Sequence, residues 1–187
     1  MKQTFTRADL WNDAGKAGLV LGFVPVAFML IDRYVMAGAS DAIGVLPTTI
    51  VNFILWAAKF AGCILLMRFF MRKFADSYEG VTHRYARIFG IAVALTSALI
   101  VSAFDLAYVK FINPEMFAEA FEKASESYSS MMDSNSMSML ENMKGDMPAI
   151  SFLTNLIYCF LFGTVLSSIL SRNIGTDENP FSDDENQ

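Results

Sequence analysis

The chain has 187 residues, of which 54% are hydrophobic and only 18% charged, and its net charge is −5. Soluble domains run near ~25% charged and a nucleic-acid surface needs a basic excess, so this composition argues against both. Long apolar runs with charges crowded between them define a membrane protein with one small domain.

About 20 apolar residues cross the ~30 Å hydrocarbon core as a helix. Four stretches qualify, at residues 17–37, 47–70, 88–112 and 149–170. The expected fold class is an all-α integral membrane protein, a four-transmembrane-helix bundle with an amphipathic helical outer loop. The membrane domain covers residues 1–172, and residues 173–187 form an acidic tail expected to be disordered.

The leader carries Lys2, Arg7, Lys16, Asp9 and Asp13. Span one is read as a true span and not as a cleaved signal, although Ala37-Gly38-Ala39 imitates a cleavage site. The long leader and Asp32-Arg33 ahead of that site favour retention. Pro25 is expected to kink this span.

Span two places Lys59 at its midpoint, inside "NFILWAAKFAGCILLMRFF". Asp32, Asp105 and Asn155 each lie about five residues to the outer side of their own span midpoints, hence roughly 8 Å outward at ~1.5 Å per residue. Asn52 lies two turns outward of Lys59 on the same helix face. Asp32, Asn52, Lys59, Asp105 and Asn155 therefore form a candidate intramembrane polar layer, with Lys59 able to reach towards Asp32 or Asp105. A lone charge at a helix centre costs about 2.5–3.5 kcal/mol on insertion scales, so such groups usually face the bundle and pair. The functional reading is a proton relay or polar solute site. The structural reading is an ion pair that fixes helix register, or a lysine that snorkels.

Small residues recur every fourth position at Gly90, Ala94, Ala98 and Ser102 of span three, and at Asn155, Cys159, Gly163, Ser167 and Ser171 of span four. Gly18 and Gly22 add a short ridge on span one. Small residues let helix backbones approach, so these are the expected packed faces. The only cysteines, Cys63 and Cys159, read as small core hydrophobes.

The loop between spans two and three is basic, with Arg68, Arg72, Lys73, Arg84 and Arg87 at or near it, whereas the other loops are poor in net positive charge. The positive-inside rule then puts both termini and this loop in the cytoplasm. His83 within it is expected to be solvated.

Residues 113–148 make the long outer loop. Pro114 suits a helix start, and Met116, Phe117, Ala120, Phe121 and Ala124 fall at helical spacing. Met131, Met132, Met137, Met139, Met143 and Met147 follow, a soft-ligand cluster that invites copper but lacks His or Cys. No CxxC, HExxH, P-loop or GxSxG occurs, and no cofactor and no catalytic or metal residue is expected.

The third span, "YARIFGIAVALTSALIVSAFDLAYVKFINPEMF", with its exit at Tyr108, Ile112 and Pro114, resembles an uncharacterised bacterial four-span family, domain of unknown function forty-one ninety-nine, found mainly in the Bacteroidota. The resemblance covers roughly Gly15 to Ser171 and implies a small inner-membrane protein, with no functional residues to carry over. The leading expectation is a non-catalytic accessory, assembly or self-associating subunit whose partners are the lipid bilayer and a second copy or a membrane protein. The alternative is an oligomeric transporter of a small solute, ion or proton that uses Asp32, Lys59 and Asp105. A third reading is copper handling through the methionine-rich loop.

Overall fold

A computed structural model describes residues 3–4, 6–39, 45–129 and 133–174 of the chain. Six α-helices follow in order: α1 (Arg7–Ala39), α2 (Val45–Ser77), α3 (His83–Ala107), α4 (Pro114–Ser129), α5 (Ser134–Met143) and α6 (Met147–Ser171). A π-helical turn, Tyr108–Ile112, continues α3 to Asn113. Four of these helices are long and apolar enough to cross a membrane, over Arg7–Asp32, Ile50–Ser77, His83–Ile112 and Met147–Ser171. The expected four-span, all-α architecture is thus present. The first, second and third helices run well past the expected spans at the basic end. The first loop at residues 40–44 and the acidic tail beyond residue 174 lie outside the described residues.

Local chemistry explains the helix starts. Thr6 and Asp9 cap α1 reciprocally: the Asp9 amide donates to Thr6 Oγ1 at 3.2 Å, and the Thr6 amide donates to Asp9 Oδ2 at 3.0 Å. Pro114 opens α4 as expected. Asp133 caps α5 by accepting the Ser136 amide at 3.0 Å, and hydrogen bonding from the Ser136 side chain and then its amide holds the carboxyl below the usual range. The methionine-rich part of this outer loop therefore carries its own helix, α5. Of its six methionines only Met139 and Met147 have described side chains, so the copper reading falls mainly outside the described residues.

Helix α3 is the axis of the bundle, packed along its length by α1 on one side and α6 on the other. Both contacts use small residues. A Cβ on Gly18 would stand 2.6 Å from Thr96 Cβ and 2.8 Å from the Val93 carbonyl oxygen, so α1 and α3 touch nearly backbone to backbone. On the other side a Cβ on Gly163 would stand 2.5 Å from Ala94 Cβ, and one on Gly90 would collide with Ser167 Oγ. Ser167 also donates to the Arg87 carbonyl across this interface at 2.9 Å. Gly90, Ala94, Ala98 and Ser102 are buried, as are Gly163, Ser167 and Ser171. The small-residue ridges are the packed faces, as their spacing indicates.

The core runs along α3 through Val93 and Ala94 to Leu21 and Met67. The largest buried side chains gather at one end of it, where Leu10, Met71, Phe74, Val81, Phe89 and Ile174 meet and Phe74 stacks on Phe89 at 4.2 Å between ring centres. At this end Gln3–Thr4 pair in parallel with Tyr78–Glu79, and Tyr78 donates to Asp13 at 2.9 Å. His83 Nδ1 lies 2.8 Å from the Ser171 carbonyl oxygen and 3.0 Å from that of Ile174. Both partners are acceptors, so Nδ1 carries the proton and ties off the end of α6. His83 is half-buried, which overturns the expectation of a solvated histidine. These ties gather the described chain ends and the basic middle loop at the same end of the bundle.

Towards the other end α2 leans away. It packs far less against α3 than α1 and α6 do, and its apolar window, like that of α6, is only 6% buried, against 50% for α3. Phe53, Trp56 and Leu65 are more than half exposed on it, which suits lipid contact.

Close approach along α3 carries a consequence for stability. Gly90→Ala is expected to destabilise the purified protein by about 1–3 kcal/mol through overpacking, because the new methyl meets Ser167 and Met71. Gly62→Ala meets nothing within 4 Å and is expected to be neutral or to gain about 0.5–1 kcal/mol, because alanine is the better helix former. Thermal unfolding of the two variants side by side in one detergent checks both.

Candidate functional site: a cleft between four helices

Where α2 leans away, α1, α2, α3 and α6 enclose a cleft of about 390 Å³. Its inner wall is apolar, made by Leu21, Met67, Ala94 and Leu166. Trp56, Phe60 and Phe162 form an aromatic flank that bridges α2 and α6, with ring centres 5.4 and 5.2 Å apart along the series. Few polar groups face the space: Asp32, Lys59, Ser97, Asn155, the Tyr158 hydroxyl and two thiols.

Helix register explains why those groups meet. Met71 and Ser167 both face Gly90, which puts them at one depth on α2 and α6. These helices run in the same direction. Eight residues before that level come Cys63 and Cys159, and twelve before it come Lys59 and Asn155. On α1, Asp13 is bonded to Tyr78; Asp32 is nineteen residues beyond the first and Lys59 nineteen before the second. Asp32, Lys59 and Asn155 therefore share a level by chain geometry, and all three line the cleft.

The five residues singled out from sequence divide at this point. Asp32, Lys59 and Asn155 line the cleft, whereas Asn52 and Asp105 are not among its lining residues. Among the described residues no carboxylate comes within 4 Å of the Lys59 ammonium; the ion pair found joins Lys16 to Asp13 at 3.6 Å. Lys59 is half-buried and lines the mostly apolar cleft.

Cys63 packs against the edge of the apolar core, and both cysteines also line the cleft. Both are free and half-buried, and they stand on facing walls of the cleft. The Cys159 thiol donates to Asn155 Oδ1 at 3.4 Å, one turn away. Lys59 and both thiols are close enough to act on one another electrostatically. Their helical offsets carried the only advance signal: Lys59-Cys63-Met67 and Asn155-Cys159-Gly163 are each spaced by four residues, so each set shares a face. Among the described residues no group of three or more His, Cys, Asp or Glu is arranged to hold a metal ion.

A cleft of this volume with apolar walls and a few convergent polar groups has the form of a small-molecule site. The chain belongs to the family described as protein of unknown function DUF4199, whose model matches residues 16–172. No curated protein and no solved structure matches it.

The facing thiols give a direct check on this geometry. A short bifunctional thiol reagent is expected to join Cys63 to Cys159 within one chain, read as a single intramolecular adduct by intact mass. Two independent singly reacted thiols would contradict the shared cleft.

Proposed function

We propose that this is a non-catalytic multi-pass protein of the bacterial inner membrane that holds a small anionic amphiphile in its four-helix cleft. The observation that carries the reading is Lys59, a half-buried cation facing a cleft with no carboxylate within 4 Å among the described residues. A charge at mid-span is costly, and an incoming anion would compensate it. Asn155 supplies a hydrogen-bonding group at the same depth, and the apolar wall from Leu21 to Leu166 suits a hydrocarbon tail. A subunit that only associates with partners has no need of such a cleft. The positive-inside rule puts the basic end, with both termini, in the cytoplasm, so the polar part of the cleft lies towards the outer leaflet.

Translocation of the same ligand is a second reading, favoured by one observation. Asp32 and Lys59 face the cleft from different helices at one depth, an arrangement suited to exchanging a proton or a charged group with the cargo.

Binding is tested with a medium-chain fatty acid and the alcohol of the same chain length. The acid is expected to bind the wild-type protein, and Lys59→Met to weaken it about tenfold or more, the value of one charge-assisted contact. The alcohol should be indifferent to the change. Equal binding of acid to both proteins would defeat the proposal, and flux of the acid in liposomes then separates binding from translocation.

A further inference from the structure

A second depression, of about 200 Å³, lies between α1 and α2 at the basic end, away from the cleft. We infer that it is a binding site for one anionic phospholipid, with the phosphodiester between Lys16 and Lys73 and an acyl chain against Val20 and Phe70. The inference does not depend on the cleft or its ligand.

Charge comes first. The rim carries Asp13, Lys16 and Lys73. Asp13 is already engaged by both of its oxygens: Oδ2 accepts the Tyr78 hydroxyl at 2.9 Å, and Oδ1 lies 3.6 Å from the Lys16 ammonium. The Tyr78 hydroxyl is held by that bond so firmly that its own ionisation is pushed up. Lys16 remains 70% exposed in spite of its contact with Asp13. Lys73 is exposed and, among the described residues, forms no ion pair. Two cations against one satisfied acid leave the rim with one net positive charge, matched to a phosphodiester monoanion.

The polarity of the walls then distinguishes a lipid from a free phosphate. Helix α1 leaves the basic end and α2 returns to it. Val20 is four residues after Lys16 and Phe70 three residues before Lys73, so on each helix the apolar side chain lies about one turn, ~5 Å, deeper than the lysine. The depression thus changes from cationic to apolar in the direction that a phospholipid changes from headgroup to chain. Its floor is firm, because Phe74 and Phe89 are buried and stacked. Val20 is 47% exposed, which leaves the flank open for a chain to enter from the bilayer. Basic pockets between helices at the cytoplasmic surface suit anionic headgroups in general.

The test uses the full chain in neutral detergent, with thermal stability followed as phosphatidylglycerol, phosphatidylcholine or inorganic phosphate is added. Phosphatidylglycerol alone is expected to raise the midpoint saturably. Lys16→Gln with Lys73→Gln is expected to shift half-saturation upward about tenfold or more, while Arg172→Gln, outside the depression, leaves it in place. An equal response to phosphatidylcholine would show general lipid solvation, and an equal response to phosphate would show a simple anion site; either overturns the inference. So does an undiminished response in the double variant. Should that variant unfold, Lys16→Arg with Lys73→Arg keeps the charges and must retain the response. Native mass spectrometry of the wild type must then show one phosphatidylglycerol bound in preference to phosphatidylcholine.

Discussion

Everything in this bundle depends on how closely α3 lets its neighbours come. On one side Gly18 and Gly22 of α1 lie against Val93, Thr96 and Ile100 of α3, and on the other Gly90 and Ala94 of α3 meet Ser167 and Gly163 of α6. In lipid there is little hydrophobic drive for helices to associate, so close backbone contact and hydrogen bonds such as Ser167 to Arg87 must supply it. Once α1 and α6 are both seated on α3, the large side chains of α2 have no equivalent ridge to enter. Helix α2 is held at the basic end by Met71 and Phe74 and meets α6 further along through the Phe60–Phe162 rings, leaving an open space between them and α3. The cleft is the space left by that mismatch.

This also accounts for the distribution of polarity. The end where α2 is seated is closed by rings, by a two-residue strand pair and by the Tyr78 and His83 hydrogen bonds. At mid-depth, where α2 has moved off, a lysine, an aspartate and an asparagine can face a common space without forming a closed contact. A tightly packed helix at that level would have forced Lys59 either into an ion pair or out to snorkel.

Much of the architecture could be read from composition and period. The four spans follow from hydropathy, and the packed faces of α1, α3 and α6 follow from residues repeating every fourth position, because a helix face is a local property of the chain. The cleft was harder to read. That Asp32, Lys59 and Asn155 share a depth could be estimated from span midpoints, but whether their helices touch there depends on side chains across the bundle. Asp105 has a similar sequence signal to Asp32 and yet does not line the cleft, since depth alone does not give the angle around α3. The apolar runs around Cys63 and Cys159 indicate packing, and Cys63 does pack on the core, but that both also line one cleft depends on how α2 and α6 meet. The partners of His83, the Ser171 and Ile174 carbonyls, lie about ninety residues away along the chain, beyond the reach of any local pattern.

The central claim is that Lys59 faces an open cleft and is neither packed nor turned to lipid. Thiol accessibility in proteoliposomes tests it most directly, with Lys59→Cys placed in a protein already carrying Cys63→Ser and Cys159→Ser. Lys59→Cys is expected to react readily with a water-soluble maleimide, while Leu65→Cys on the lipid-facing flank and Val93→Cys in the packed α3 face stay inert. A Lys59→Cys protein as unreactive as Val93→Cys would contradict the account.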